Sequence, residues 1–162
     1  MSIRKKIGII ELGDTAYLSD PCYSTNCVHN CTIKTIPGKW YVFIRKSQSA
    51  LGENRVSNLI AIHLDYYKEF KRNPMNDKEN LYCCVDSGTC GIFDKNYFEK
   101  YHNEDGVDDK WYDDNIISNV YKDSFITDNL GVISSSGFGD GIYNVFAEYK
   151  NDRAFAIRIN FI

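Results

Sequence analysis

The sequence predicts an α+β domain dominated by antiparallel strands, folded as a sandwich or partly closed barrel with one or two short helices. Three observations lead there. Twelve Tyr, nine Phe and two Trp accompany many Ile, a mixture suited to broad pleated surfaces. The apolar runs are short and are separated by Gly, Pro, Asn or Ser, as strands and turns are. Near the end, Phe155, Ile157, Ile159 and Phe161 alternate with Ala154, Ala156, Arg158 and Asn160. That period of two buries one face of a strand.

At 162 residues the chain fits one β-rich domain, residues 1–162, burying roughly two-thirds of its unfolded surface. Taken in order, "KIGII" (Lys6 to Ile10), "CTIKTI" (Cys31 to Ile36), "KWYVFIRK" (Lys39 to Lys46) and "VSNLIAIHL" (Val56 to Leu64) read as strands. The basic triad Arg4-Lys5-Lys6 reads as a solvated flank. Pro37-Gly38 is a turn signal and predicts a hairpin between the strands on either side. Lys68 to Asn80, strongly polar and carrying Pro74, reads as an exposed connection. Asp94 is placed to cap a short helix, "KNYFEKYH", by accepting an otherwise orphaned backbone N–H. A second helix is expected from about Asp108 to Tyr121. Trp111, Ile117, Val120 and Tyr121 would form its apolar stripe, with Asp108, Asp109, Asp113 and Asp114 facing water. Lastly, "GIYNVFAEY" and "RAFAIRINFI" flank Lys150-Asn151-Asp152, the pattern of a hairpin. No internal repeat appears.

A net charge of -3 gives no electrostatic reason to expect nucleic acid. No stretch approaches the roughly 20 apolar residues needed to span a bilayer, and the run Ile7 to Ile10 is too short for a signal-peptide core. A cytoplasmic protein with no membrane association is expected. The cysteines fall in two groups, Cys22, Cys27 and Cys31, then Cys83, Cys84 and Cys90. His29 lies inside the first group and invites a zinc reading. However, no C-x2-C pair and no second knuckle is present, so the thiols read as small buried or incidental groups rather than metal ligands. Nothing in the sequence specifies a cofactor or an oligomeric state.

Chemistry concentrates in three interrupted segments, "GDTAYLSDPCY", "VDSGTCGIFD" and "SSSGFGDGIY". Each sets Asp beside Gly, Ser or Pro next to a strand. Such breaks serve as tight turns, because Asp bonds nearby N–H groups and Gly admits positive φ. At one sheet end they would also gather carboxylates, hydroxyls and close-approaching backbone around a ligand. The candidate ligand-binding residues are therefore Asp20, Asp86, Ser87, Gly88, Ser136, Gly139, Asp140 and Tyr143. No catalytic residue is assigned. Gly137 to Gly141 precedes a strand rather than a helix, no Walker lysine follows it, and no G-x-S-x-G elbow is present. His63 in "AIHLDYY" reads as a satisfied strand residue.

Asp20-Pro21-Cys22-Tyr23, then Gly38 to Val42, Val85 to Gly88, Gly91 to Asp94 and Ser135 to Tyr143 occur in an order that resembles a group of bacterial and phage proteins. These are domains of unknown function with an Asp-Ser-Gly segment and a late Gly-Asp-Gly-x-Tyr segment. The resemblance spans most of the chain. It implies a β-rich domain in a bacterial or phage intracellular setting (the host cytoplasm if phage-encoded), and it carries no assigned activity. The function expected is a binding or interaction protein, taking a small polar or nucleotide-like ligand or a protein partner such as a toxin or host factor. The alternative is a metal-dependent phosphoester hydrolase, with Asp20, Asp86, Asp94 and Asp140 clustered around Mg²⁺ or Mn²⁺.

Overall fold

The computed structural model describes residues 3–28, 30–72, 75 and 81–162. Its architecture is an α+β sandwich, two antiparallel sheets stacked but not closed. The six-stranded sheet runs, in spatial order, β1 (Ile3–Leu12), β4 (Gly38–Gln48), β5 (Asn54–His63), β13 (Arg153–Asn160), β12 (Gly141–Lys150), β6 (Leu81–Val85). The five-stranded sheet runs β10 (Ser124–Thr127), β11 (Gly131–Ser135), β7 (Thr89–Asp94), β2 (Thr15–Ser19), β3 (Cys31–Lys34). Short helices α1 (Tyr67–Arg72), α2 (Lys95–Tyr101) and α3 (Asp109–Asn115) and a small ribbon of β8 (His102–Asn103) with β9 (Gly106–Val107) complete it.

Alternation within the strands produces the layers. Inward residues such as Ile10, Leu18, Trp40, Ile44, Leu59, Ile92, Val145 and Ile157 form the core between the sheets. Outward residues are apolar where helices cover them. Phe43, Ile60 and Phe146 on the six-stranded sheet pack with Phe70 of α1. Tyr17, Phe93 and Ile133 on the five-stranded sheet pack with Phe98 of α2 and Trp111 of α3.

Several expectations are met. Asp94 caps α2, its Oδ1 accepting from the Tyr97 N–H at 3.1 Å. His63 is buried, with Nε2 at 3.1 Å from the Pro37 carbonyl oxygen and Nδ1 accepting from the Asp65 N–H at 3.2 Å. The C-terminal hairpin turns on Asn151 and Asp152, both at positive φ of 50° and 66°, the tight turn whose twist matches its strands.

Other expectations are corrected. Pro37-Gly38 does not join a hairpin, because β3 and β4 lie in different sheets, so this turn carries the chain across the sandwich. The basic triad is part of β1, and the Arg4 guanidinium lies 3.9 Å above the Phe43 ring. The polar segment after Lys68 begins as helix α1, which buries Phe70, and Met75 is buried beyond it. The rest of that segment, 73–74 and 76–80, lies outside the described residues, as does His29. The second helix stops at Asn115 and is followed by a 3₁₀ turn, Ile117–Asn119. Ile117, Val120 and Tyr121 are exposed, so the approximate stripe does not bury them.

The register of β13 also differs from simple alternation. Glu148 faces Ala156 while Tyr149 faces Ala154, which leaves Phe155 as the extra residue of a bulge. Phe155 therefore packs outward with Ala156, while Ile157, Ile159 and Phe161 enter the inter-sheet core. Ile157→Ala is expected to cost about 2–4 kcal/mol through lost burial and a cavity. Arg158, whose guanidinium stands 4.7 Å over the Phe146 ring, should cost only about 1 kcal/mol on truncation to Ala. Urea melts of the two variants check this order.

Candidate functional site

The breaks at Asp86 and Gly139 have one topological cause. Residues 86–88 carry the chain from β6 in the larger sheet to β7 in the smaller one, and residues 136–140 return it from β11 to β12. Since β6 pairs with β12 and β7 with β11, the two crossings run side by side. The Ser136 N–H donates to the Gly88 carbonyl at 3.0 Å. A Cβ on Gly88 would lie 4.0 Å from the Gly139 Cα, so the loops pack directly on one another. Gly88 has φ of 71° and Gly137 φ of 66°, a conformation that disfavours any side chain. At Gly137 a Cβ would also come within 2.7 Å of the Val56 carbonyl oxygen.

The third segment locks this arrangement. Asp20 follows β2, beside β7, and is fully buried. Its Oδ2 accepts from the N–H groups of Asp86 at 2.8 Å and Ser87 at 2.7 Å. Its Oδ1 accepts from the Cys22 N–H at 2.7 Å and the Ser87 hydroxyl at 2.8 Å. A carboxylate offers about four acceptor positions, and here four donors use them. Asp20 is thus a clamp on the first crossing, with no acceptor position left for a ligand. Ser136 is likewise buried, and its hydroxyl donates to the Gly139 carbonyl at 2.7 Å.

The remaining candidates form the outer rim. Asp86, Ser87 and Asp140 are exposed, and Gly88, Gly139 and Tyr143 are half-buried. Tyr143 donates its O–H to the Gly139 carbonyl at 2.6 Å, which braces the second crossing. Four polar residues absent from the candidate list join them. Tyr23 donates to Asp86 Oδ2 at 2.8 Å, Thr89 shares a 2.8 Å hydroxyl contact with Ser87, and the Cys22 thiol donates to the Tyr112 hydroxyl at 3.3 Å. Burial, then the Asp86 hydrogen bond and charge, raise the Tyr23 pKa. Tyr112 is pushed up to about 12, first by its bond with Cys22 and then by burial. Both are neutral hydroxyls at physiological pH. Tyr23 sat within the Asp20-Pro21-Cys22-Tyr23 signal, whereas Tyr112, on an acidic helix, gave none.

The four-aspartate cluster is not assembled. Asp94 sits at the other end of β7, where its Oδ2 accepts from the Gly13 N–H at 2.9 Å and its Oδ1 caps α2. Among the described residues no group of three or more His, Cys, Asp or Glu is arranged to hold a metal ion. Beside the rim, a groove of about 370 Å³ opens between the edge strands β3 and β6, lined by Asn30, Thr32, Tyr82 and Cys84 among others. Cys83 and Cys90 meet beneath the first crossing with their sulfurs 3.6 Å apart. No helix among the described residues is long and apolar enough to cross a membrane.

The Asp20-Pro21 turn is also held from behind. His102 is buried, with its ring nitrogens each 2.8 Å from a carbonyl oxygen, those of Phe98 and Pro21. Burial lowers its pKa below the ordinary 6.5 and outweighs the two carbonyl contacts, which favour the cation because a neutral ring has one N–H and can donate to only one of them. The folded protein thus keeps the ring neutral at pH values where the unfolded chain has taken up a proton. The resulting stability is complete above about pH 6.5 and is lost as pH falls through the folded-state value. Urea melts between pH 7 and pH 5 should show that loss, and His102→Gln should remove this part of the slope.

No protein-family model, curated protein or solved structure matches the chain.

Proposed function

We propose that the chain is a binding protein that recognises a donor-rich polar group, an amine, guanidinium or set of hydroxyls, on a small molecule or a protein partner. The recognition surface is the rim of the two crossings. The observation that carries this reading is the pair of exposed carboxylates, Asp86 and Asp140, standing on loops that Asp20 and the Ser136–Gly88 bond hold together. Acceptors fixed on a rigid base bind donors with little ordering cost. A phosphate-bearing ligand gains less support, since Arg55, the guanidinium that reaches the second crossing, is already engaged by Glu53 and the Gly137 carbonyl, and the Gly139 N–H is directed at the Ser136 carbonyl at 3.3 Å. The hydrolase alternative gains less still, with Asp94 remote and Asp20 saturated. Six free thiols suit a reducing cytoplasm, that of a bacterium or of a phage host.

The test is an amide-resolved NMR titration with argininamide and, separately, with ATP. Argininamide should shift the amides of 86–88 and 137–140. The double substitution Asp86→Asn with Asp140→Asn should abolish that shift while leaving the melting temperature nearly unchanged. A response to ATP alone, or none to either probe, would sink the proposal.

A further inference from the structure

Away from the loops, the outward face of the six-stranded sheet carries a second feature. Strand pairing places Arg4 opposite Arg45, Arg45 opposite Asn58, Asn58 opposite Asn160, Asn160 opposite Asn144, and Asn144 opposite Tyr82. Directly paired residues share a face, so these six side chains form one row across all six strands, roughly 24 Å long at the usual strand spacing. The next row, Lys6, Phe43, Ile60, Arg158 and Phe146, contributes to the apolar layer packed with Phe70 of α1. The polar row lies beside that layer.

The row breaks a rule of sheet stability. Like charges directly opposite one another are unfavourable, yet Arg4 faces Arg45. Among the described residues no carboxylate forms an ion pair with either. The Nε and Nη2 atoms of Arg4 are buried without a hydrogen-bond partner, and its guanidinium is held over Phe43 instead. Along the row Asn58 donates to Asn160 at 2.6 Å, Asn144 is exposed, and Tyr82 closes the end half-exposed. Arg45, held beside that buried like charge, supplies planar donors suited to a carboxylate, and carboxamides match the donors and acceptors of a peptide backbone.

We infer that this row is a docking surface for an acidic, extended segment of a partner protein, with a carboxylate at Arg45 and its backbone along the asparagines. Charge complementarity selects this occupant. Single-stranded nucleic acid needs free aromatic faces on which bases stack. Here Arg4 covers Phe43 and Arg158 covers Phe146, so of the aromatics in the two rows only Tyr82, at the far edge, is exposed, and successive bases find no second ring; the chain also carries a net charge of -3.

The experiment is fluorescence polarisation with a labelled octaglutamate peptide at low ionic strength, with unlabelled dT12 as competitor. Arg45→Ala should weaken binding at least tenfold, Asn144→Ala severalfold, and Arg45→Lys to an intermediate degree. Lys5→Ala is the control. Lys5 pairs with Ile44 on the other face of the sheet, and its loss should change affinity less than twofold. The Arg45→Ala protein should melt no lower than the parent, because a like-charge contact is removed. Absence of octaglutamate binding overturns the inference. So does equal weakening by Lys5→Ala and Arg45→Ala, which marks unspecific attraction. Tighter binding of dT12 that Arg45→Ala also removes assigns the row to nucleic acid instead.

Discussion

Asp20→Ala is expected to destabilise the protein by about 3–5 kcal/mol, the range for removing one partner from a buried, hydrogen-bonded charge site. The substitution deletes the acceptor of four hydrogen bonds and leaves three backbone N–H groups to find new partners. Orphaned buried donors cost about 1–3 kcal/mol each, and relaxation toward water moderates the sum. Asp20→Asn should cost less than Ala but remain clearly unfavourable. Its amide nitrogen must face N–H or O–H donors on one side, whichever way it is turned. Urea denaturation of the two variants measures both values. An Asp20→Ala protein as stable as the parent would remove the clamp from the account of the fold.

Phe93→Ala should rank with it, at about 3–5 kcal/mol. The Phe93 ring fills the space where two neighbouring residues lack side chains. A Cβ on Gly91 would approach the ring to 2.4 Å and one on Gly131 to 2.6 Å. The same ring lies 5.2 Å from Phe98 and 6.4 Å from Trp111 between centroids, so its loss undermines the seating of α2 and α3 together. Gly91→Ala should also destabilise, because the added methyl meets both the ring and the Val132 carbonyl oxygen at 2.8 Å. The decisive measurement is the double-mutant cycle. With the ring gone the methyl at position 91 has room on one side, so the double variant should be more stable than the sum of the single losses allows. Strict additivity would mean that ring and glycine do not share that space.

The sandwich itself was legible because its cause is local. Short apolar runs, period-two alternation and turn residues all follow from backbone geometry, and Asp94 could be placed as a cap from its neighbours alone. What escaped the sequence depends on partners distant along the chain. Pro37-Gly38 announces a change of direction but not which sheet receives the next strand. Phe155 sits in a regular alternation that a single bulge interrupts, and nothing in "RAFAIRINFI" marks it. Helix α1 rests on one buried aromatic, Phe70, inside a polar stretch. The site divides in the same way. The three interrupted segments share one pattern in the sequence, and in the fold they converge. The division of labour among them was hidden, because the oxygens of Asp20 are filled by residues 66 and 67 positions away. An aspartate beside a proline reads the same whether it grips a ligand or the protein's own backbone.

That grip alters how the exposed loop should behave in hydrogen-exchange terms. Asp86 and Ser87 lie at the surface, where amide protons ordinarily trade with solvent almost freely. Theirs are held by a carboxylate seated in the interior, and the carboxylate is fixed in turn to the strand behind it. Releasing those protons requires the turn to part from a carboxylate that itself does not reach the surface. The amides of an outwardly accessible turn should therefore exchange more slowly than its exposure suggests, and their protection factors read out how firmly the rim on which Asp86 stands is tied to the interior.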